Sequence, residues 1–139
     1  MRIHSGGNIL VAEINNEIVG TVSGLEEHGS MHVCSLAVLP AHQNSGVARR
    51  LMERLETVGQ EKGCCKLFLH TAWAMKEAIQ LYEKLGYMKE GYLREHFYGE
   101  DFMVFSKFIK SSTPYLRVQA NHSCVLNQQN KRKVHSSRG

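Results

Sequence analysis

Apolar residues crowd positions 9–14 as Ile9, Leu10, Val11, Ala12 and Ile14. Asn15-Asn16 follows, and Asn tolerates positive φ, so the pair predicts a tight turn. Residues 18–25 then set Val19, Thr21 and Ser23 against Ile18, Val22 and Gly24. The two runs together predict a β-hairpin. After the polar stretch 26–30, residues 31–39 are apolar at Val33, Leu36, Ala37, Val38 and Leu39. Apolar residues on both faces predict a central strand covered on both sides, stopped by Pro40. Val47, Leu51, Met52, Leu55 and Val58 form one stripe of a 3.6-residue period, hence a helix, closed by Gly63. Residues 64–71 read as a second buried strand. Met75, Ala78, Ile79, Tyr82 and Leu85 mark a second helix ended by Gly86. Residues 87–93 and 102–109 predict an antiparallel pair around the segment 97–101. The order is β-β-β-α-β-α-β-β. It predicts an α/β fold: a mixed, mostly antiparallel sheet with a central parallel pair, flanked by helices. A right-handed crossover through the first helix joins the parallel pair. Such sheets bind ligands beyond the carboxyl ends of their parallel strands.

The length, 139 residues, suits one domain and a tail, with a core that needs no disulfide staple. Charge divides the chain. Residues 1–110 hold 12 basic and 13 acidic side chains; residues 111–139 hold five basic and no acidic ones, which accounts for the net +4. We therefore expect a domain over 1–110 and a basic, solvated, disordered tail over 111–139, ending in Lys131-Arg132-Lys133. The tail is the only feature that invites nucleic acid, and it does not by itself make nucleic acid the partner. No apolar run nears the roughly 20 residues of a membrane span, and no signal-peptide core opens the chain. Cys34, Cys64, Cys65 and Cys124 lack a framework spacing, which predicts a reduced, cytoplasmic protein.

The segment 36–51 carries the sharpest chemistry. It runs from a buried strand through Gln43-Asn44-Ser45 into a helix that opens at Gly46-Val47-Ala48. A helix N-terminus offers unpaired N–H groups and about half a positive charge. A missing side chain at Gly46 and a small one at Ala48 let an anion come close, and Arg49 and Arg50 add charge. The same glycine could simply ease a tight turn. Neither a P-loop nor a G-x-G-x-x-G fingerprint is present.

Gln43-x-x-Gly46-x-Ala48 resembles the [R/Q]-x-x-G-x-[G/A] pyrophosphate loop of the GCN5-related N-acetyltransferases (GNAT). Leu36-Ala37-Val38 is similar to the strand before that loop, and residues 78–87, Ala-Ile-Gln-Leu-Tyr-Glu-Lys-Leu-Gly-Tyr, to the family's A-x-x-[LF]-Y-x-[KR]-x-G-[FY] block. The resemblance covers about residues 8–109. It implies acetyl-CoA as co-substrate, its pyrophosphate on the amides of Gln43, Asn44, Ser45, Gly46, Val47, Ala48 and Arg49. It also implies a pantetheine arm paired with the backbone of Leu36, Ala37 and Val38. The family usually begins with a strand and two helices that wall the acceptor cleft. This chain starts almost at the second strand of that scheme, so we expect an uncovered sheet surface that invites a homodimer.

The resemblance makes Tyr82 the general acid for the departing thiolate, although Tyr82 also falls in phase with the apolar stripe of its helix. An N–H near Val38 would face the oxyanion. Where family members place a glutamate base, this chain has His32 and His70, and His70, at the carboxyl end of a buried strand, ranks first. The nearest subfamily is the ribosomal-protein-alanine type of protein N-terminal acetyltransferase, in which hairpin aromatics grip a peptide. Here those would be Phe97 and Tyr98. The subfamily's strand glutamate is His70 here, and its helix-start asparagine is Met75. His28, His32 and Cys34 straddle a turn and a strand, so no metal is expected. Cys64 and Cys65 read as inert core thiols. The expected function is transfer of acetyl from acetyl-CoA to a primary amine, either a peptide or protein N-terminus or a small amine, by direct attack. The rival is an acyl-CoA-binding module without turnover.

Overall fold

A computed structural model describes residues 1–110; the basic segment 111–139, with its expected disorder, lies outside the described residues. Among the described residues, seven strands form one sheet in the order β1-β2-β3-β4-β5-β7-β6. They are β1 (Arg2–Gly6), β2 (Ile9–Ile14), β3 (Glu17–Glu27), β4 (Ser30–Val38), β5 (Lys66–Ala72), β6 (Met88–Phe97) and β7 (Glu100–Phe108). Helix α1 (Val47–Glu61) links β4 to β5, and α2 (Lys76–Lys84) links β5 to β6. Only β4 and β5 run parallel as neighbours; every other pairing is antiparallel.

The predicted elements are present, with one addition. Strand β1 precedes the hairpin and pairs Arg2 with Glu13 through Gly6 with Ile9, across a turn in which Gly7 has φ +65°. Its sequence, Arg-Ile-His-Ser-Gly, has no apolar alternation. As an edge strand it needs only ladder hydrogen bonds, helped by a contact between His4 Nε2 and Glu13 Oε2 at 3.1 Å. Among the described residues, no α-helix precedes α1.

Both crossovers move the same way along the sheet, so right-handedness puts α1 and α2 on one face. There the core forms. Leu10, Val22, Met31 and Leu67 on strands meet Val47, Leu51, Met52 and Leu55 on α1, all nearly inaccessible. Helix α2 contributes Ile79, Leu81 and Tyr82 only half-buried, and Met75, predicted on its apolar stripe, stays exposed as the N-cap.

The expectation that β4 is covered on both faces is corrected. Only Met31 and Val33 are buried along it. Opposite the helices lies a bare face, with Ile9 51% and Leu25 47% exposed. Apolar residues on both sides of a strand thus do not report two covering layers here.

Candidate functional site

The loop after β4 is built by its own side chains. Leu39 N–H donates to Val19 O at 2.9 Å, and Pro40–His42 makes one 3-10 turn. The Gln43 side-chain amide donates to Val38 O at 3.2 Å, and the Ser45 hydroxyl donates to His42 O. Asn44 has φ +59° and Gly46 φ +88°, both left-handed, which swings the chain sharply into α1. Gly46 is the N-cap, and no side chain caps the helix. A Cβ at Gly46 would meet nothing within 4 Å. The helix start is thus uncapped and open around Gly46, and the glycine answers to backbone conformation rather than to a packing neighbour. Val47 itself is buried in the core, so only its N–H is available there; Ala48 is half-buried and Arg49 exposed.

The edge beside this loop is open. The β4–β5 ladder covers only Ser30–His32 against Lys66–Phe68. Beyond it the two strands splay, and Val33, Ser35, Leu36, Ala37 and Val38 are paired with β3 alone. A bulge begins the divergence: Ser23 pairs with Ser35 but Gly24 with Val33, leaving Cys34 as the extra residue. Bulges bend and twist a strand in this way.

Tyr82 sits on the helix face, where its ring meets Tyr87 at 6.1 Å and Phe105 at 6.5 Å. Burial raises its pKa, so it keeps its proton at neutral pH. Tyr87, beside it, is held still higher by burial and by the Glu56 carboxylate that accepts its O–H.

His32 and His70 lie on the bare face and are brought together, their rings 5.2 Å apart. Phe68 stacks on His32 at 4.8 Å, as its register partner across the parallel pair. Three members of the cluster, Phe68, His96 and Phe102, were not foreseen in the sequence. His96 meets His70 edge-on at 5.4 Å and Phe97 at 4.1 Å; Phe102 meets Phe97 at 5.0 Å. A wide bulge sets His96: Leu93 pairs with Phe102 and Phe97 with Glu100, so Arg94, Glu95 and His96 all oppose Asp101. Glu95, at φ +47°, donates its N–H to the Asp101 carboxylate at 2.9 Å. Nothing in the run Arg94-Glu95-His96 announces a bulge. Phe97 joins the cluster, 45% exposed, whereas Tyr98 projects fully into solvent at a two-residue turn with Gly99. Burial, then the neighbouring His32 and His96, push the His70 pKa below its ordinary value. Tyr82 thus belongs to a different set of ring contacts from the histidines.

Among the described residues no group of three or more His, Cys, Asp or Glu could hold a metal ion. Cys64 is buried and its thiol is pushed up to about 11, chiefly by desolvation, as suits an inert core residue.

A model of the acetyltransferase (GNAT) family matches residues 2–87. The chain belongs to the GNAT family. This GNAT chain is 32% identical over 92 residues to Probable N-acetyltransferase 14 of Danio rerio, covering 65% of the chain and 33% of that protein. It is 37% identical over 84 residues to an acetyltransferase of Pectobacterium atrosepticum, covering 60% of each. It therefore spans a third of the first relative's length and three fifths of the second's. Among solved structures, the ribosomal-protein-S18-alanine N-acetyltransferase of Escherichia coli is similar with a TM-score of 0.68 at 22% identity, over 76% of this chain and 72% of that one. A GNAT family acetyltransferase of Elizabethkingia anophelis with acetyl-CoA bound has a TM-score of 0.69 at 20% identity, over 73% and 75%. At these identities the likeness establishes the GNAT fold.

Proposed function

We propose that this GNAT chain is an acetyl-CoA-dependent N-acetyltransferase that acts on a primary amine by direct attack in a ternary complex. One observation carries the reading: the uncapped α1 N-terminus opens at Gly46 onto free space, beside the unpaired half of β4. That pair of features fits a phosphate-bearing molecule with a peptide-like arm. The amides of Gln43 to Arg49 would take the pyrophosphate, with Gln43 and Ser45 also bracing the loop through Val38 O and His42 O. The backbone of Leu36, Ala37 and Val38 would hold the arm. Acetyl-CoA, when bound, supplies an activated acyl thioester.

The chain's own residues handle charge and protons. Tyr82 keeps its proton at neutral pH and serves as the acid for the departing thiolate. His70, with His32 behind it, accepts the proton of the attacking amine. Phe97 lies beside His70 and belongs to the acceptor side, while Tyr98 reaches an acceptor only if the acceptor extends past the hairpin tip. The acceptor is a peptide or protein N-terminus or a small amine. The names of the relatives support acetyl transfer. Free thiols at Cys34, Cys64 and Cys65 suit a cytoplasmic setting, and the bare sheet face suits a homodimer. No helix among the described residues is long and apolar enough to cross a membrane. The reading assigns no nucleic-acid partner.

Titration calorimetry with acetyl-CoA tests the reading, with Gly46→Glu and Tyr82→Phe as variants. Saturable binding of about one ligand per chain is expected. Gly46→Glu should abolish it, because bulk and negative charge would stand at the helix N-terminus. Tyr82→Phe should lower turnover at least tenfold and leave affinity unchanged. Binding with no turnover on any amine would favour the acyl-CoA-binding module.

A further inference from the structure

Tyr82 is placed by rings and backbone. Among the described residues no group hydrogen-bonds its hydroxyl. Its ring lies against Tyr87 and Phe105, and its carbonyl accepts the N–H of Leu85 at 3.1 Å and of Tyr87 at 2.9 Å. Phe105 is locked in the hydrophobic core. Tyr87 is buried too, but its place is tied to charged side chains from two other elements.

Lys107 comes from β7 and reaches across the turn that leaves α2. Gly86 has φ +90° there, and a Cβ on it would stand 3.4 Å from Lys107 Cε, so the lysine stem lies along the turn. The ammonium donates to Leu85 O at 2.9 Å and to the two Glu56 carboxylate oxygens at 3.1 and 3.2 Å. Its three donors thus meet three acceptors. The same Nζ stands 5.7 Å from the centroid of the Tyr87 ring, whose hydroxyl donates to Glu56 Oε1 at 3.2 Å. A cation at the carboxyl end of α2 also suits the helix dipole. Tyr87 is therefore gripped at both ends, by Glu56 at its hydroxyl and by Tyr82 O at its N–H. Exchanging a part-buried ion pair for apolar side chains of like volume is often neutral for stability, so stability alone does not account for the arrangement. Fixed geometry does, since a displacement of about 1 Å at a reacting group can cost on the order of 100-fold in rate.

We infer that Lys107 is a positioning residue for Tyr82: through Glu56 and the Tyr87 ring it fixes where the Tyr82 hydroxyl meets the departing thiolate. The inference rests on the proposed role of Tyr82 as the acid and names what holds that acid in place. Lys107 reaches Tyr82 only through Tyr87 and the Leu85 carbonyl, so its removal acts on proton transfer and leaves the binding of acetyl-CoA and amine as it was.

The test uses the full chain with acetyl-CoA, and a tripeptide amide and spermidine as acceptors, at a temperature where melts show every variant folded. Lys107→Met should lower kcat about three- to tenfold and leave KM for acetyl-CoA and for the amine unchanged. Tyr87→Phe keeps the ring and removes only the bond to Glu56, so it should lower kcat about threefold; it carries the test if Lys107→Met does not fold. The deciding readout is the double variant. In a Tyr82→Phe background, Lys107→Met or Tyr87→Phe should cost no further kcat, because what they position is already gone. The Tyr82 ring signals should also move in Lys107→Met, a substitution that removes no atom touching that ring. The same fold-loss in both backgrounds would assign Lys107 a structural role only and overturn the inference, as would a raised KM with kcat intact, or unmoved Tyr82 signals. If Tyr82→Phe slows turnover and neither Lys107→Met nor Tyr87→Phe does, only this inference falls. If Tyr82→Phe leaves kcat unchanged, or acetyl-CoA does not bind, the proposed function fails at that point and the inference falls with it.

Discussion

Gly20 governs the donor loop from the other side of the core. A Cβ there would come within 3.0 Å of Val47 Cγ1, 3.1 Å of Leu51 Cδ1 and 3.2 Å of Ala37 O. Two of those neighbours are in the first turns of α1, so the missing side chain lets the helix start close against β3. Gly20→Ala should cost about 1–3 kcal/mol by overpacking, with less than 1 kcal/mol returned through the unfolded chain. Because Val47 is the first helical residue, the same variant should weaken acetyl-CoA binding. Urea midpoints and calorimetry measure the two effects, and an unshifted midpoint rejects the packing argument. At this scale the loop was legible in the sequence. Gly46 needs a left-handed φ, and a glycine at a strand-to-helix turn announces that. His96 was not legible, because its place in the cluster depends on a bulge held by Asp101 and a positive φ at Glu95, and neither residue type signals either feature. Val47 was legible as core, since it opens the apolar stripe of α1, and its side chain is buried.

Glu56 ties elements together that the hydrophobic pattern treats as separate. Its carboxylate, largely buried on α1, accepts from Lys107 Nζ on β7 at 3.1 and 3.2 Å and from the Tyr87 hydroxyl at 3.2 Å. Lys107 also donates to Leu85 O, the C-cap of α2, at 2.9 Å. One acidic side chain thus clamps α1, β7 and the end of the helix that carries Tyr82. Glu56→Ala removes the acceptor and leaves a half-buried ammonium with one partner, which should cost about 1.5–3 kcal/mol. Thermal melts of Glu56→Ala and of Lys107→Met, which removes the stranded charge, check this; equal and negligible losses would contradict it. Glu56 falls off the apolar stripe of α1, and a 3.6-residue period cannot distinguish solvent from a buried partner. Strand β1 escaped for a related reason. Its stability comes from backbone pairing at an edge, and Ile3 is its one large apolar residue after the initial Met1.

At the scale of the whole molecule the sheet has two unlike faces. Both helices pack on one, as the crossover rule requires; on the other, the histidines and aromatics stand in half-open contact. The mixed sheet with its one parallel pair followed from the element pattern, but the insertion of β7 between β5 and β6 and the bare face did not, the latter because apolar residues on both sides of β4 suggested two covering layers. That face should make folding stability sensitive to mild acid. In the unfolded chain a histidine titrates near pH 6.5. In the folded chain burial and the neighbouring His32 and His96 push the His70 pKa below that value. Between the two values the unfolded state binds more protons, so stability rises with pH; it is fully present above about 6.5 and is lost as pH falls through the folded value. Asp101 and Glu90, whose pKa values are lowered by hydrogen bonds, act in the same sense but only below the ordinary carboxylate range, about pH 4, which keeps the windows apart. Urea midpoints at pH 7.5, 6.0 and 5.0 should therefore decline. His70→Gln, which cannot titrate, should flatten that decline and leave the steeper loss near pH 4 in place. A parallel decline in the wild type and His70→Gln would show that the acid sensitivity arises elsewhere than the histidine cluster.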